Sequence, residues 1–296
     1  MGVYVVTGSY SGMGREVVAR LTEAGHRVIT VDVGTSDVVA DLSTPAGRAT
    51  AAAAVLQACD GRLDGAVLAA GIGPSRGADR ARLITQVNYF GVVELLTAWR
   101  PALAASGTSD TPPDAASMGA KVVVFASNST TTVPMVPRRA VRALLAGDEE
   151  RAVRAFRALG PAAPALAYTA SKIALARWVR RAAVTPEWAG AGIRLNAIAP
   201  GAVLTPLLER QLATPAEAKQ IRSFPVPIGG YGDAGHLADW VLMMLSPAAD
   251  FLCGSVIFVD GGSDAWFRAD SWPAPVRRRD TIRYLKRMRA FARQRA

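Results

Sequence analysis

The stretch VYVVTGSYSGMG, Val3–Gly14, passes from an apolar, β-branched run into three glycines at the head of a helical pattern. Its valines do not alternate with polar residues, so the first half reads as a strand buried on both faces. Gly8, Gly12 and Gly14 stand at GxxxGxG spacing. Without Cβ atoms the backbone there can approach a pyrophosphate, whose charge the following helix N-terminus stabilises. The same glycines would also serve a tight turn packing helix on strand. Their place after the first strand favours phosphate.

Short β-branched runs then alternate with alanine-rich helical stretches. After a helix from Gly14 to Ala24 come RVITVD, a helix across GRATAAAAVLQAC, and DGAVLAAG; KVVVFAS, IRLNAIAP and SVIFVDGG follow, each preceded by a helical segment. Apolar strands separated by helices predict an α/β fold: a doubly wound, Rossmann-like, mainly parallel seven-stranded sheet with helices on both faces. Residues 1–264 are expected to form one dinucleotide-binding catalytic domain, interrupted by a helical insertion at about 134–164, with 265–296 as a basic C-terminal extension. The turn-rich SGTSDTPPDAASMGA, Ser106–Ala120, reads as a surface loop.

Eighteen residues beyond Gly14, the second strand ends in Asp32. A carboxylate there can accept hydrogen bonds from an adenosine ribose and would repel a 2'-phosphate, which favours NAD over NADP. An ordinary acid at a strand end is the alternative.

The chain has 296 residues, half of them hydrophobic, enough for one substantial core. Cys59 and Cys253 lie apart on apolar segments, which suggests neither a disulfide framework nor a metal site. The apolar runs are too short to span a bilayer, and the first residues lack a basic leader region. A cytoplasmic protein is the expectation. The net charge of +10 is uneven, with +7 between Ser263 and Ala296.

Only four lysines stand against 30 arginines, yet LAYTASKIALARW, Leu166–Trp178, places Lys172 four residues after Tyr168. On a helix the two share one face. An ammonium near a phenol stabilises the phenolate and lowers the tyrosine pKa, while lysine's compact charge can also hydrogen-bond a ribose. A core tyrosine beside a surface lysine is the plainer alternative.

With these residues in view, TGSYSGMG, LAAG, VNYFG, VVVFASNS, YTASK and IAPG resemble, in order and approximate spacing, the motifs of the short-chain dehydrogenases/reductases, from Gly2 to about Asp264. The resemblance implies that Tyr168 is the catalytic acid/base, that Lys172 binds the nicotinamide ribose, that Ser127 polarises the substrate oxygen and that Asn88 holds a water in a proton relay. Ser129 is a rival to Ser127. For NAD it implies contacts from Ser11 and Met13 in the glycine loop, from Asp41 and Leu42 beside the adenine, from Ala70 and Gly71 under the adenosine ribose, and from Val203 and Thr205 at the carboxamide. Leu68 and Ala69 depart from the family's usual asparagines, which puts the contacts of that turn in question. ADLST, VNYFG, RLNAIAPGA and TPLL are most similar to the hydroxysteroid dehydrogenase/carbonyl reductase branch, which also carries an insert here.

Ser127 and Tyr168 are 41 residues apart, and the insert fills the gap. Val141, Leu144, Leu145, Val153, Phe156 and Leu159 could form apolar faces that pack on a second subunit, so a homodimer or homotetramer is expected. In the tail, Ile282, Leu285, Met288 and Phe291 recur amid arginines. A solvated helix, a partner-binding helix and a membrane-surface helix all fit that pattern, with membrane contact not favoured and no motif for reading nucleic acid. The leading expectation is an NAD-dependent enzyme interconverting a secondary alcohol and a ketone on an apolar, alicyclic or steroid substrate. The alternative is a noncatalytic NAD-binding protein that engages a partner through its tail.

Overall fold

Strands that are apolar on both faces must be covered on both sides, and the computed structural model of the chain has this arrangement. It describes residues 1–75, 77, 79–107, 119–271 and 276–295. The strands are β1 (Val3–Thr7), β2 (Arg27–Asp32), β3 (Val38–Val39), β4 (Gly65–Leu68), β5 (Lys121–Phe125), β6 (Arg194–Pro200), β7 (Val203–Leu204), β8 (Gly232–Asp233) and β9 (Val256–Val259). The α-helices are α1 (Gly12–Glu23), α2 (Pro45–Ala58), α3 (Arg80–Thr85), α4 (Gly91–Ala104), α5 (Ser129–Thr132), α6 (Arg138–Leu145), α7 (Glu149–Arg154), α8 (Ala163–Ala182), α9 (Pro206–Leu212), α10 (Pro215–Arg222), α11 (Ala234–Leu245), α12 (Ser263–Arg268) and α13 (Thr281–Arg295).

Seven strands pair in parallel in the order β3-β2-β1-β4-β5-β6-β9. The six strand segments singled out in the sequence all lie in this sheet. The seventh member, β3, has two residues and is too short to carry a period. α1 starts at Gly12, two residues before the expected start.

Successive residues of β1 explain the two cores. Val5 packs with Leu95 and Trp99 of α4 and Leu175 of α8, while Tyr4 and Val6 pack with Val17 and Leu21 of α1 and Val241 of α11. The chain fills one side of β1 with β2 and β3, then crosses to place β4 on the other. Between β1 and β4 the order reverses, and in such sheets a crevice opens there beyond the carboxyl ends of the strands. β7 and β8 pair as a separate two-stranded ribbon, and α9 and α10 lie in the chain between them.

The insert corrects an expectation. Ala140, Val141 and Leu144 of α6, Ala152 of α7, and Phe156 are buried within this one chain, in the same core as α8. Val141, Leu144 and Phe156 are therefore used inside the protomer rather than left for a second subunit, while Leu145, Val153 and Leu159 are partly buried. Burying side chains such as Leu144 and Phe156 stabilises by roughly 1.5–3 kcal/mol each. Polar contacts add a latch: Arg82 of α3 pairs with Glu149 at 2.8 Å and Glu150 at 2.6 Å. Gln86 Nε2 donates to Glu149 Oε1 at 3.0 Å.

Most of the loop read at Ser106–Ala120 lies outside the described residues. Ser106 itself is buried and donates to Asp64 Oδ1 at 2.7 Å. In the tail, α12 leaves Trp266 exposed, and α13 carries the recurring Ile282, Leu285, Met288 and Phe291. Among the described residues, no helix is long and apolar enough to cross a membrane.

Candidate active site

At the β1 end of the crevice, glycine is required by contact distances. Gly8 has φ +69°, and a Cβ there would meet Ala70 N at 2.6 Å; a Cβ on Gly14 would lie 2.1 Å from Gly8 O. Either clash forces backbone to move. Gly12 has φ +57°, and its Cβ position is 3.5 Å from Thr205 Cγ2. The loop thus touches both the turn after β4 and the segment after β6. Ser11 is the N-cap of α1 and makes no side-chain capping bond, and Met13 packs partly buried on the α1 core.

Asp32 ends β2 with its carboxylate held by backbone: Oδ2 accepts from Tyr10 N at 3.0 Å and Oδ1 from Gly34 N at 3.1 Å. Ionised, it has lone pairs to spare for other donors. Asp41 is exposed and takes a 2.9 Å bond from Ser43 N. Leu42 is buried beside Gly91, and its carbonyl accepts from Arg48 Nη1 at 3.2 Å.

The turn 69–72, where apolar residues replace the family's asparagines, is held from outside. Thr7 Oγ1 accepts from Ala70 N at 3.2 Å. Asn88 grips Ile72 twice, accepting from its N–H at 2.8 Å and donating to its carbonyl at 3.0 Å. Asn88 is fully buried on a single π-helical turn, Gln86–Phe90, an irregularity that re-aims side chains and recurs at functional sites. The sequence carried no signal for Thr7 in this role.

At the α8 end, Tyr168 and Lys172 lie one turn apart on one face, as their spacing requires. Tyr168 is hydrogen-bonded to Ser127. Lys172 is buried, donates from Nζ to Phe125 O at 2.7 Å, and lies 5.9 Å from the centroid of the Tyr168 ring. The Cβ position of Gly71 is 3.5 Å from Asn88 Oδ1 and 3.8 Å from Lys172 Nζ, so glycine keeps open the space between them. Ser127, Tyr168, Lys172, Asn88 and Gly71 therefore form one cluster.

Of the two serines, Ser127 is the one bonded to the phenol. It also accepts from Ser129 N at 3.1 Å, while Ser129 Oγ is buried with no partner among the described residues. Val203 is buried at the start of β7, and Thr205 caps α9, accepting from Leu208 N at 3.4 Å. Leu207, to which the sequence reading gave no part, stands with Cδ2 3.2 Å from the Cβ position of Gly73, above the same turn.

Ionisation departs from the expectation. Burial raises the Tyr168 pKa above its ordinary value, and the Ser127 hydrogen bond offsets only part of this. Burial lowers Lys172 to about 8. The lysine does not bring the phenol down in this arrangement, because desolvation disfavours both charged forms and the ammonium is engaged by the Phe125 carbonyl. At neutral pH the pair is a neutral phenol beside an ammonium. This is a proton donor with a cation behind it.

Beside the first turn of α8 is a cavity of about 530 Å³, lined by Arg80, Arg82, Phe156, Arg157, Pro161 and Pro164 among others. Among the described residues, no group of three or more His, Cys, Asp or Glu could hold a metal.

Residues 152–264 match the family model described as Enoyl-(Acyl carrier protein) reductase. The 3-alpha-hydroxysteroid dehydrogenase/carbonyl reductase of Comamonas testosteroni is 37% identical over 268 residues, covering 90% of this chain and 98% of that protein. The cis-4-hydroxycyclohexanecarboxylate dehydrogenase of Sinomonas cyclohexanicum is 34% identical over 137 residues, 46% of this chain and 53% of its own length. Among solved structures, the 3-alpha-hydroxysteroid dehydrogenase from Pseudomonas sp. B-0831 complexed with NADH superimposes with a TM-score of 0.80 at 42% identity, over 90% of this chain and 99% of that one. With such identity across nearly the full length of both molecules, on top of the parallel sheet and the cluster around Tyr168, the chain belongs to the short-chain dehydrogenase/reductase family.

Proposed function

We propose that the chain is an NAD-dependent oxidoreductase that interconverts a secondary alcohol and a ketone on an apolar, alicyclic or steroid-like substrate. The observation that carries this reading is the convergence of Ser127, Tyr168, Lys172 and Asn88 beside Gly71. A module that only binds a dinucleotide has no use for a partly buried proton donor with a cation behind it. The relatives named for hydroxysteroids and for a hydroxycyclohexane support the substrate class, and the NADH held by the Pseudomonas protein supports the cofactor.

The residues present fit a dinucleotide. The glycine loop is a cradle that Cβ atoms would obstruct, and Asp32 is already oriented by two N–H groups. Gly8, Ser11, Gly12, Met13 and Gly14 would line the pyrophosphate and Asp32 the adenosine ribose. Asp41 and Leu42 would flank the adenine, Ala70 and Gly71 would lie beneath the adenosine ribose, and Val203 and Thr205 would meet the carboxamide. When bound, the nicotinamide supplies or takes up the hydride.

The chain's own residues handle the oxygen and its proton. In reduction the Tyr168 phenol donates its proton to the substrate oxygen, and the Ser127 hydroxyl donates a hydrogen bond to the same atom as negative charge develops. The raised Tyr168 pKa keeps the phenol protonated for this step. Lys172 holds the nicotinamide ribose and, below about pH 8, its charge stabilises the phenolate left behind. Asn88, fixed by Ile72, positions a water through which the proton is replaced. In oxidation the sequence runs backward.

We assign catalysis to residues 1–264, with the insertion at about 134–164 walling the substrate side and 265–296 as an appendage, in a cytoplasmic homodimer or homotetramer. A panel of cyclic and acyclic secondary alcohols and ketones, offered with NAD and NADP and followed by the absorbance of the reduced cofactor, tests this reading. Turnover of cyclic alcohols with NAD is expected. Tight NAD binding with no turnover of any member would leave the noncatalytic alternative.

A further inference from the structure

The tail is unlike the rest of the surface. From Thr281 to Arg293 the chain holds Arg283, Lys286, Arg287, Arg289 and Arg293 and no acidic residue. α13 orders this composition: at about 100° per residue, Tyr284, Leu285, Met288 and Phe291 share an arc of roughly 120°, and Arg283, Lys286, Arg287 and Arg293 occupy the opposite side. The apolar side is not buried against the protein. Met288 is 57% exposed, and Tyr284 and Leu285 each 48%. Among the described residues, the principal contact of α13 is with the short 3-10 turn Arg278–Asp280 just before it.

Leu285 and Met288 on one face and the cations on the other need an occupant. A nucleic acid or a simple acidic surface would neutralise the cations and leave the apolar side wet. A second copy of α13 could cover the apolar side, but it would bring cations against cations with no acid on either helix to compensate. A bilayer rich in anionic lipid satisfies both at once, with acyl chains under Leu285 and Met288 and headgroup phosphates around the arginines and Lys286. At 15 residues, or about 22 Å, α13 would lie in the plane of the interface. We propose that α13 is a peripheral membrane anchor that docks this enzyme on anionic lipid surfaces. An apolar substrate dissolved in the same bilayer would be met where it is concentrated.

The test uses the full chain. Sedimentation with phosphatidylcholine vesicles, with and without phosphatidylglycerol, should show partitioning onto the anionic vesicles at low salt. The double variant Leu285→Glu/Met288→Glu should partition at least about tenfold more weakly. Raising the salt from about 0.1 to about 0.5 M should weaken the wild type as its charges are screened. The variant should keep the far-ultraviolet circular dichroism and NAD affinity of the parent, which separates lost docking from lost folding and from any failure of the enzymatic reading. No partition onto anionic vesicles, equal partition onto phosphatidylcholine alone, or binding that the double variant leaves intact would each overturn the proposal. So would light scattering showing an oligomer that the double variant dissociates.

Discussion

The two ends of the crevice are made from different materials. At the Asp32 end the fit is set by backbone: Gly8 and Gly14 stand where a side chain would strike a main-chain atom within 2.6 Å, and the carboxylate is aimed by the N–H groups of Tyr10 and Gly34. At the α8 end the fit is set by burial. Lys172, Ser127 and Asn88 are buried and Tyr168 is partly buried on the core, and the tyrosine and lysine have their proton equilibria moved by desolvation. One end is a shape that recognises. The other is a set of titrating groups whose charge state is decided by the water they have lost.

If that division is right, Tyr168→Phe separates the two ends most sharply. The ring still fills its place, but the proton and the Ser127 hydrogen bond are gone. We expect kcat/KM for ketone reduction to fall roughly 10³-fold, within the range for losing a general acid. The NAD dissociation constant, read by calorimetry, should move by less than about threefold, since the Asp32 end is untouched. A variant that keeps most of its rate would remove the division. In the parent enzyme the raised Tyr168 pKa makes phenolate scarce at neutrality, so alcohol oxidation should accelerate as pH rises from about 7 to about 10 while ketone reduction does not.

The same difference explains what could be read from the sequence. The glycine spacing, the acid after the second strand and the Tyr-xxx-Lys pair are local patterns with geometric consequences, so the sheet and the members of both ends were legible. What escaped depends on through-space neighbours. Thr7 and Asn88 hold the turn 69–72 because β1 and the π turn converge on it, and although Asn88 was legible as a site residue, no run of sequence shows this grip. The insert showed an apolar periodicity, but whether that face met α8 or another subunit depended on a fold the periodicity does not specify. The tyrosine–lysine pair was legible as a contact, while the sign of its effect turned on burial.

Lys172→Met sharpens the burial half of the contrast. In the folded chain Lys172 titrates near 8 against an ordinary 10.5, a cost of roughly 3 kcal/mol for holding the charge in the interior. Between those values the unfolded chain binds a proton that the folded one does not, so this contribution to stability grows as pH rises through the window. The full cost is carried below about pH 8. Methionine removes both the cost and the bond to Phe125 O. We therefore expect the stability difference between parent and variant to shift in the parent's favour by about 2–3 kcal/mol between pH 7 and 10, measured by urea denaturation of both proteins. A difference that stays constant with pH would mean the ammonium is not desolvated.

Asp32→Ala probes the opposite end and has the smallest expected effect. The substitution leaves the glycine cradle in place but releases the N–H groups of Tyr10 and Gly34 and removes the acceptor offered to a ribose. Hydrogen bonds to a charged group are worth about 1.5–3 kcal/mol. NAD binding should therefore weaken by about tenfold to a hundredfold, and NADP, no longer facing a carboxylate, should lose its disadvantage. The chemical step depends on groups at the far end of the crevice. At saturating NAD, kcat should change by less than about twofold. A fall in kcat with KM unchanged would show that Asp32 positions the nicotinamide end through the bound dinucleotide, and the two ends would then act as one device.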